Sequence, residues 1–163
     1  MSYRNKTYVI FDGDDIHNYR LMQAWKANNN IDFSFYDAHD TRRIYSDSEE
    51  ESVKRGLRER FSNSSQAIVL VGQRTRYLYK YVRWEIEVAQ SLDLPIIVVN
   101  LNSARIYEEN TCPPILRRCN AVFVAFGPKI IKYALDNFPS FYETVDKMNG
   151  TNYYYPDSIY NNL

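Results

Sequence analysis

One carboxylate in the chain stands where a carboxylate is hard to keep, and that makes it the first candidate for chemistry. From Leu78 to Leu92 the pattern is helical. On a wheel of about 100° per residue, Leu78, Tyr81, Val82, Val88, Ala89 and Leu92 fall within about 60° of Glu85. Glu87 falls on the opposite, wet side. An ionised carboxylate facing a core is strongly disfavoured without partners. Glu85 must therefore sit near the rim of the fold, pair with a base, or have a function. Burial also raises a carboxyl pKa toward the range useful for proton transfer. The alternative is a buried Glu–Arg pair that ties two elements together.

A second constellation is Asp12-Gly13-Asp14-Asp15, directly after an apolar run. Acids spaced as Asp12 and Asp14 are can serve as nucleophile and acid in phosphoryl transfer, as in haloacid-dehalogenase-type phosphatases. That chemistry needs a hydroxyl residue and a later acidic pair, but the following strands end in Val71-Gly72 and Asn100-Leu101-Asn102. A receiver-type phosphoryl-accepting Asp is missing for the same reason. A turn that also caps a helix is the simpler reading. Arg74, Arg76 and Arg83 could hold phosphates or pair with surface acids. His17 and His39 read as exposed and loop histidines, and there is no Walker loop or G-x-S-x-G elbow.

The elements that position these residues follow from periodicity. Thr7–Phe11 reads as strand 1, Ile16–Ala27 as a helix with Tyr19, Met22 and Trp25 on one face, and Asp32–Tyr36 as strand 2. A polar loop from Asp37 to Asp47 leads to a capping box, Ser48 to Glu51. The helix after it carries Val53, Leu57 and Phe61, with its acids first and its bases later, as the helix dipole prefers. Gln66–Val71, Pro95–Leu101 and Ala121–Phe126 are further apolar strands. Pro128 opens a last helix, which the sequence suggests breaks near Pro139 and resumes to about Met148. The connector 102–118 has room for one helical turn, and the tail Thr151–Leu163 has no clear period. Strands alternating with helices imply a parallel sheet with right-handed crossovers. The expectation is an α/β, flavodoxin-like three-layer sandwich with a five-stranded parallel sheet of order 2-1-3-4-5. Ligands would then bind beyond the carboxyl ends of strands 1 and 3.

The chain has 163 residues, zero formal net charge, 45% hydrophobic and 25% charged residues. This suits one globular domain over 1–163 and gives no basic excess for nucleic acid. Cys112 and Cys119 form no metal-binding pattern and point to a reducing, cytoplasmic setting. No apolar run approaches a membrane span. The 15 tyrosines could line a pocket or an interface, or simply fill core and surface.

The segment Gly72-Gln73-Arg74-Thr75 through Tyr81-Val82-Arg83-Trp84-Glu85-Ile86, followed by Pro95-Ile96-Ile97-Val98-Val99, resembles the TIR-like family that includes the Thoeris B proteins of bacterial antiphage defence. The resemblance covers about residues 7–101, and 102–163 only poorly. It implies NAD+ as substrate, with no cofactor or metal, cleavage of the nicotinamide–ribose bond, and an ADP-ribose-type nucleotide that diffuses to an effector protein. It maps the catalytic glutamate onto Glu85, whose role would be to hold ribose hydroxyls and stabilise an oxocarbenium-like centre. Phe11, Asp12, Asp14, Trp84 and Arg74 are the implied substrate-binding residues. Many members carry an aromatic-Ser-aromatic sequence at strand 1, where this chain has Ile10-Phe11-Asp12-Gly13. Two other readings remain open: a non-catalytic TIR-like adaptor acting by self-association or partner binding, and an N-glycosidase or ribosyltransferase acting on another nucleoside.

Overall fold

The computed structural model describes residues 6–30, 36–37, 49–77 and 80–163. Its centre is an all-parallel sheet in the order β2-β1-β3-β4-β5-β6. In chain order the elements are β1 (Lys6–Ile10), α1 (Ile16–Ala27), β2 (Tyr36–Asp37), α2 (Glu50–Phe61), β3 (Ser64–Val71), α3 (Lys80–Ser91), β4 (Ile96–Asn100), β5 (Val122–Ala125), α4 (Pro128–Tyr142), β6 (Tyr153–Tyr154) and α5 (Asp157–Asn161). Single 3-10 turns lie at Gly13–Asp15 and Pro114–Leu116.

Alternate strand residues feed two cores, as the period of two in a pleated strand requires. Tyr8, Ile10, Val69, Val98 and Phe123 face one side with Val53, Leu57, Phe61, Val82 and Ile86 of α2 and α3. Val9, Ile68, Leu70, Val99 and Val124 face the other side with Tyr19 and Met22 of α1 and Ile131, Leu135 and Phe138 of α4. Helices therefore cover both faces, which is why β3 and β4 read as continuous apolar runs. Phe61 stacks on Tyr8 with ring centroids 4.1 Å apart. Trp25 is partly buried against Phe126, as the α1 pattern suggests.

Four expectations need correction. The sheet has a sixth strand: Tyr153 and Tyr154 pair with Val122 and Phe123 at the β5 edge, so the order differs from the five-stranded expectation by that addition. A two-residue strand has no period to read, and it is held by aromatic packing of Tyr153 on Phe138 and Phe141. α4 does not break near Pro139. It runs through that residue and stops at Tyr142, because Ile131, Ala134, Leu135, Phe138 and Tyr142 are all buried along one side. Glu87 is not simply in water: it is half-buried and bound by Lys54 of α2 (2.5 Å) and Arg83 (2.8 Å). Leu92 is exposed, because α3 ends one residue before it. The capping box cannot be followed to its first residue, since Ser48 lies outside the described residues. The N-cap of α2 is Glu49, which makes no side-chain cap bond. Asp32–Phe35, His39 and Leu78 also lie outside the described residues. Among the described residues no helix is long and apolar enough to cross a membrane.

Candidate functional site

The carboxyl ends of β1, β3 and β4 frame a cavity of about 340 Å³, lined by Asp14, Asp15, Asn18, Gly72, Arg74, Asn102 and Thr111 among others. Its floor is built locally. Asp12, two residues past the end of β1, caps the 3-10 turn: the Asp14 backbone N–H donates to Asp12 Oδ1 at 2.9 Å. The Asp15 N–H donates to the Asp12 carbonyl at 2.8 Å. That turn swings Asp15 over the end of β3. There Thr75 Oγ1 donates to Asp15 Oδ2 (3.2 Å) and accepts from the Gly72 N–H (2.8 Å). A Cβ on residue 72 would lie 2.3 Å from Asp15 Oδ1 and 2.6 Å from Oδ2. Only glycine leaves room for the carboxylate.

Burial pushes the Asp15 carboxyl above the usual carboxylate range. The Thr75 hydrogen bond pulls the other way, while the neighbouring Asp12 and Asp14 charges add to the rise. On the β4 side, buried Asn100 donates to the carbonyls of Ala104 and Ile106 at 3.0 and 2.8 Å, fixing the loop that carries Asn102. Arg74 reaches across the mouth to Asp14, 3.4 Å between Nη1 and Oδ2, with both side chains largely exposed.

The substrate-binding residues named from sequence separate into four places. Asp14 and Arg74 meet at the cavity. Asp12 supports it from below as the cap. Phe11 is buried and stacked on Tyr19, centroids 4.5 Å apart, in the core on the α1 side. There it is a packing residue and lines none of the three described cavities, because the strand alternation turns it away from α3. Trp84 lines a different, more open depression with Tyr77, Lys80 and Arg83 on the outer side of α3. Lys80 sits 5.2 Å from its ring.

Glu85 is 2% exposed, on the inner side of α3 beside buried Val82, Val88 and Ala89. It lies five residues into the helix, so about 7.5 Å of axial rise separates it from the end that meets the carboxyl edge of the sheet. It lines none of the three described cavities. Residues 78–79, which enter α3, lie outside the described residues.

Sequence reasoning did not single out Asp15, Asn18, Gly72, Asn102 and Thr111 as cavity residues, nor Thr75 buried beside them. The Gly72–Thr75 spacing was the available signal, since a hydroxyl three residues after a glycine can turn back on its amide. Both cysteines are free. Burial pushes the Cys119 thiol up to about 11 and Cys112 higher still, so neither is poised as a thiolate nucleophile. Among the described residues no cluster of His, Cys, Asp and Glu could hold a metal ion.

Residues 2–106 match the profile of a family described as Thoeris protein ThsB, TIR-like domain. None of the curated proteins matches the chain.

Proposed function

This chain belongs to the Thoeris ThsB TIR-like domain family, and from that premise we propose that it processes NAD+ in antiphage defence, breaking the nicotinamide–ribose bond and releasing an ADP-ribose-type nucleotide signal. The observation that carries the reading is Glu85. Its carboxylate is 2% exposed on an otherwise apolar helix face, where acids are rare, and the family resemblance assigns the catalytic role to that same position. In this reading the C1′–N bond breaks with both electrons leaving on nicotinamide. The Glu85 carboxylate holds the ribose hydroxyls and faces the positive charge that develops on the sugar. Water or another nucleophile then captures C1′. Arg74 at the sheet edge supplies a guanidinium for the diphosphate, with Asp14 beside it better suited to hydroxyl contacts than to phosphate.

A second reading is a non-catalytic adaptor, in which Glu85, 2% exposed beside Val82, Val88 and Ala89, is a structural acid of the core. The two part in one experiment: NAD+ is incubated with purified protein, alone and with extract of phage-infected cells, and the products are followed by mass spectrometry. The enzyme reading expects nicotinamide and a matching ADP-ribose-type product in at least one condition. Neither product in either condition would leave the adaptor.

A further inference from the structure

We propose that Asp15 is a positioning residue for this reaction: through Thr75 it latches the β3–α3 connection to the start of α1, and so sets where Arg74 and the first turn of α3 stand relative to the cavity. The proposal rests on the NAD+-processing reading for its kinetic part and on geometry alone for the latch. Three independent features meet at one point. Thr75 is fully buried in a connection whose neighbours Gln73 and Arg74 are exposed. Its hydroxyl is used twice, accepting from the Gly72 N–H and donating to Asp15 Oδ2. The space over the Gly72 Cα is occupied by the Asp15 carboxylate itself.

A hydroxyl that must donate outward leaves its lone pairs for the amide, so the acceptor at Asp15 sets its direction. Without Asp15, the Thr75 hydroxyl is free to turn, the Gly72 amide loses an oriented acceptor, and the two exposed residues between them lose their anchor. Arg74 would then sweep a wider arc at the cavity mouth. Asp12 and Asp14 are the charges that act on Asp15, and Arg74 of the other connection pairs with Asp14. A carboxylate kept partly out of water beside two other acids is unfavourable by itself, and a neutral residue would pack there at lower cost. Its position over Gly72 is therefore better explained by the work of orienting the loop than by stability.

Three variants test this: Asp15→Ala, Thr75→Val and Thr75→Ser. Hydrogen exchange of the Gly72 amide reads the latch without any reaction. Asp15→Ala and Thr75→Val are expected to raise its exchange by about tenfold or more, and Thr75→Ser, which keeps the hydroxyl, to restore protection. In nicotinamide release, Asp15→Ala and Thr75→Val are expected to lower kcat by about tenfold with KM changed much less, the pattern of a misplaced reacting group. A urea titration adds a check on the geometry. Gly72→Ala should lower the midpoint clearly in the wild type and much less in the Asp15→Ala background, where its methyl meets no carboxylate.

Unchanged Gly72 exchange in Thr75→Val, or the same cost for Gly72→Ala in both backgrounds, would overturn the latch. Raised Gly72 exchange together with unaltered kcat in a protein that turns over NAD+ would overturn the positioning role. A wild type that releases no nicotinamide would instead defeat the activity, leaving exchange and urea data to decide the latch.

Discussion

Asp15 and Glu85 show how differently two acidic residues can be read from a sequence. Glu85 was legible because the helical period places it among Val82, Val88 and Ala89, and all four are buried. Asp15 was not, because three acids stand almost together in Asp12-Gly13-Asp14-Asp15 and local pattern gives them equal claims. The choice is made by a residue 57 positions later, Gly72, whose missing side chain admits one carboxylate. The pH dependence follows from the raised Asp15 pKa. A folded-state pKa above the unfolded value means that the native state binds its proton more tightly. The associated stability is then present at acid pH and lost as pH rises through the folded pKa. Asp15→Asn, which has no proton to lose, should therefore gain stability over the wild type at pH 7. That gain should shrink below the ordinary Asp range, about pH 4. Urea midpoints at the two pH values check this, and a wild-type advantage at pH 7 would refute it. Phe11 is the opposite case: named for the pocket by resemblance, it is core because the strand alternation turns it toward Tyr19.

At the scale of elements, the sequence identified what has a long period and missed what is short or works against its own propensity. α2 and α3 were legible because the spacing of Val53, Leu57 and Phe61, and of Val82, Ile86 and Ala89, repeats over three turns. What joins them was not, since Lys54 bonding both Glu50 and Glu87 is a tertiary fact. Pro139 looked like a break, because proline removes a helix hydrogen bond and its ring crowds the carbonyl four residues back. Burial of Leu135, Phe138 and Tyr142 on either side of it prevails. At the end of α4, Tyr142 Oη donates to Asp93, which lies just past the end of α3 and also pairs with Lys147, both at 2.7 Å. Pro139→Ala should therefore keep the helix, restore the bond to the Leu135 carbonyl, and raise stability by about 1 kcal/mol. Denaturant unfolding measures it, and a loss of stability would show that the proline ring itself is needed in the packing.

For the whole molecule, the match to the family ends at residue 106, but the layered fold does not. Val122 and Val124 of β5 and Ile131, Ala134, Leu135 and Phe138 of α4 complete the core on the α1 side. β6 and α5 then add an edge and a strap: Tyr160 Oη accepts from the Ala125 N–H, and Arg105 stacks on the Tyr160 ring. This end of the chain was the least legible, as β6 depends on rings far apart in sequence and not on a repeating pattern. A fragment of residues 1–106 should lack a cooperative unfolding transition and bind a hydrophobic dye, because the part of the sheet that α4 and β5 cover would be open to water. A sharp transition in that fragment would show that the matched region folds by itself.

NAD+ cleavage by this chain stands on one carboxyl group, and nicotinamide release by Glu85→Gln, measured beside the wild type, is its test. Gln preserves shape and removes charge. The variant should stay folded, with a cooperative urea transition, while its rate falls by about 100-fold or more, the scale of losing one group that stabilises a transition state. Equal rates in the two proteins would contradict the account and leave Glu85 as a buried structural acid.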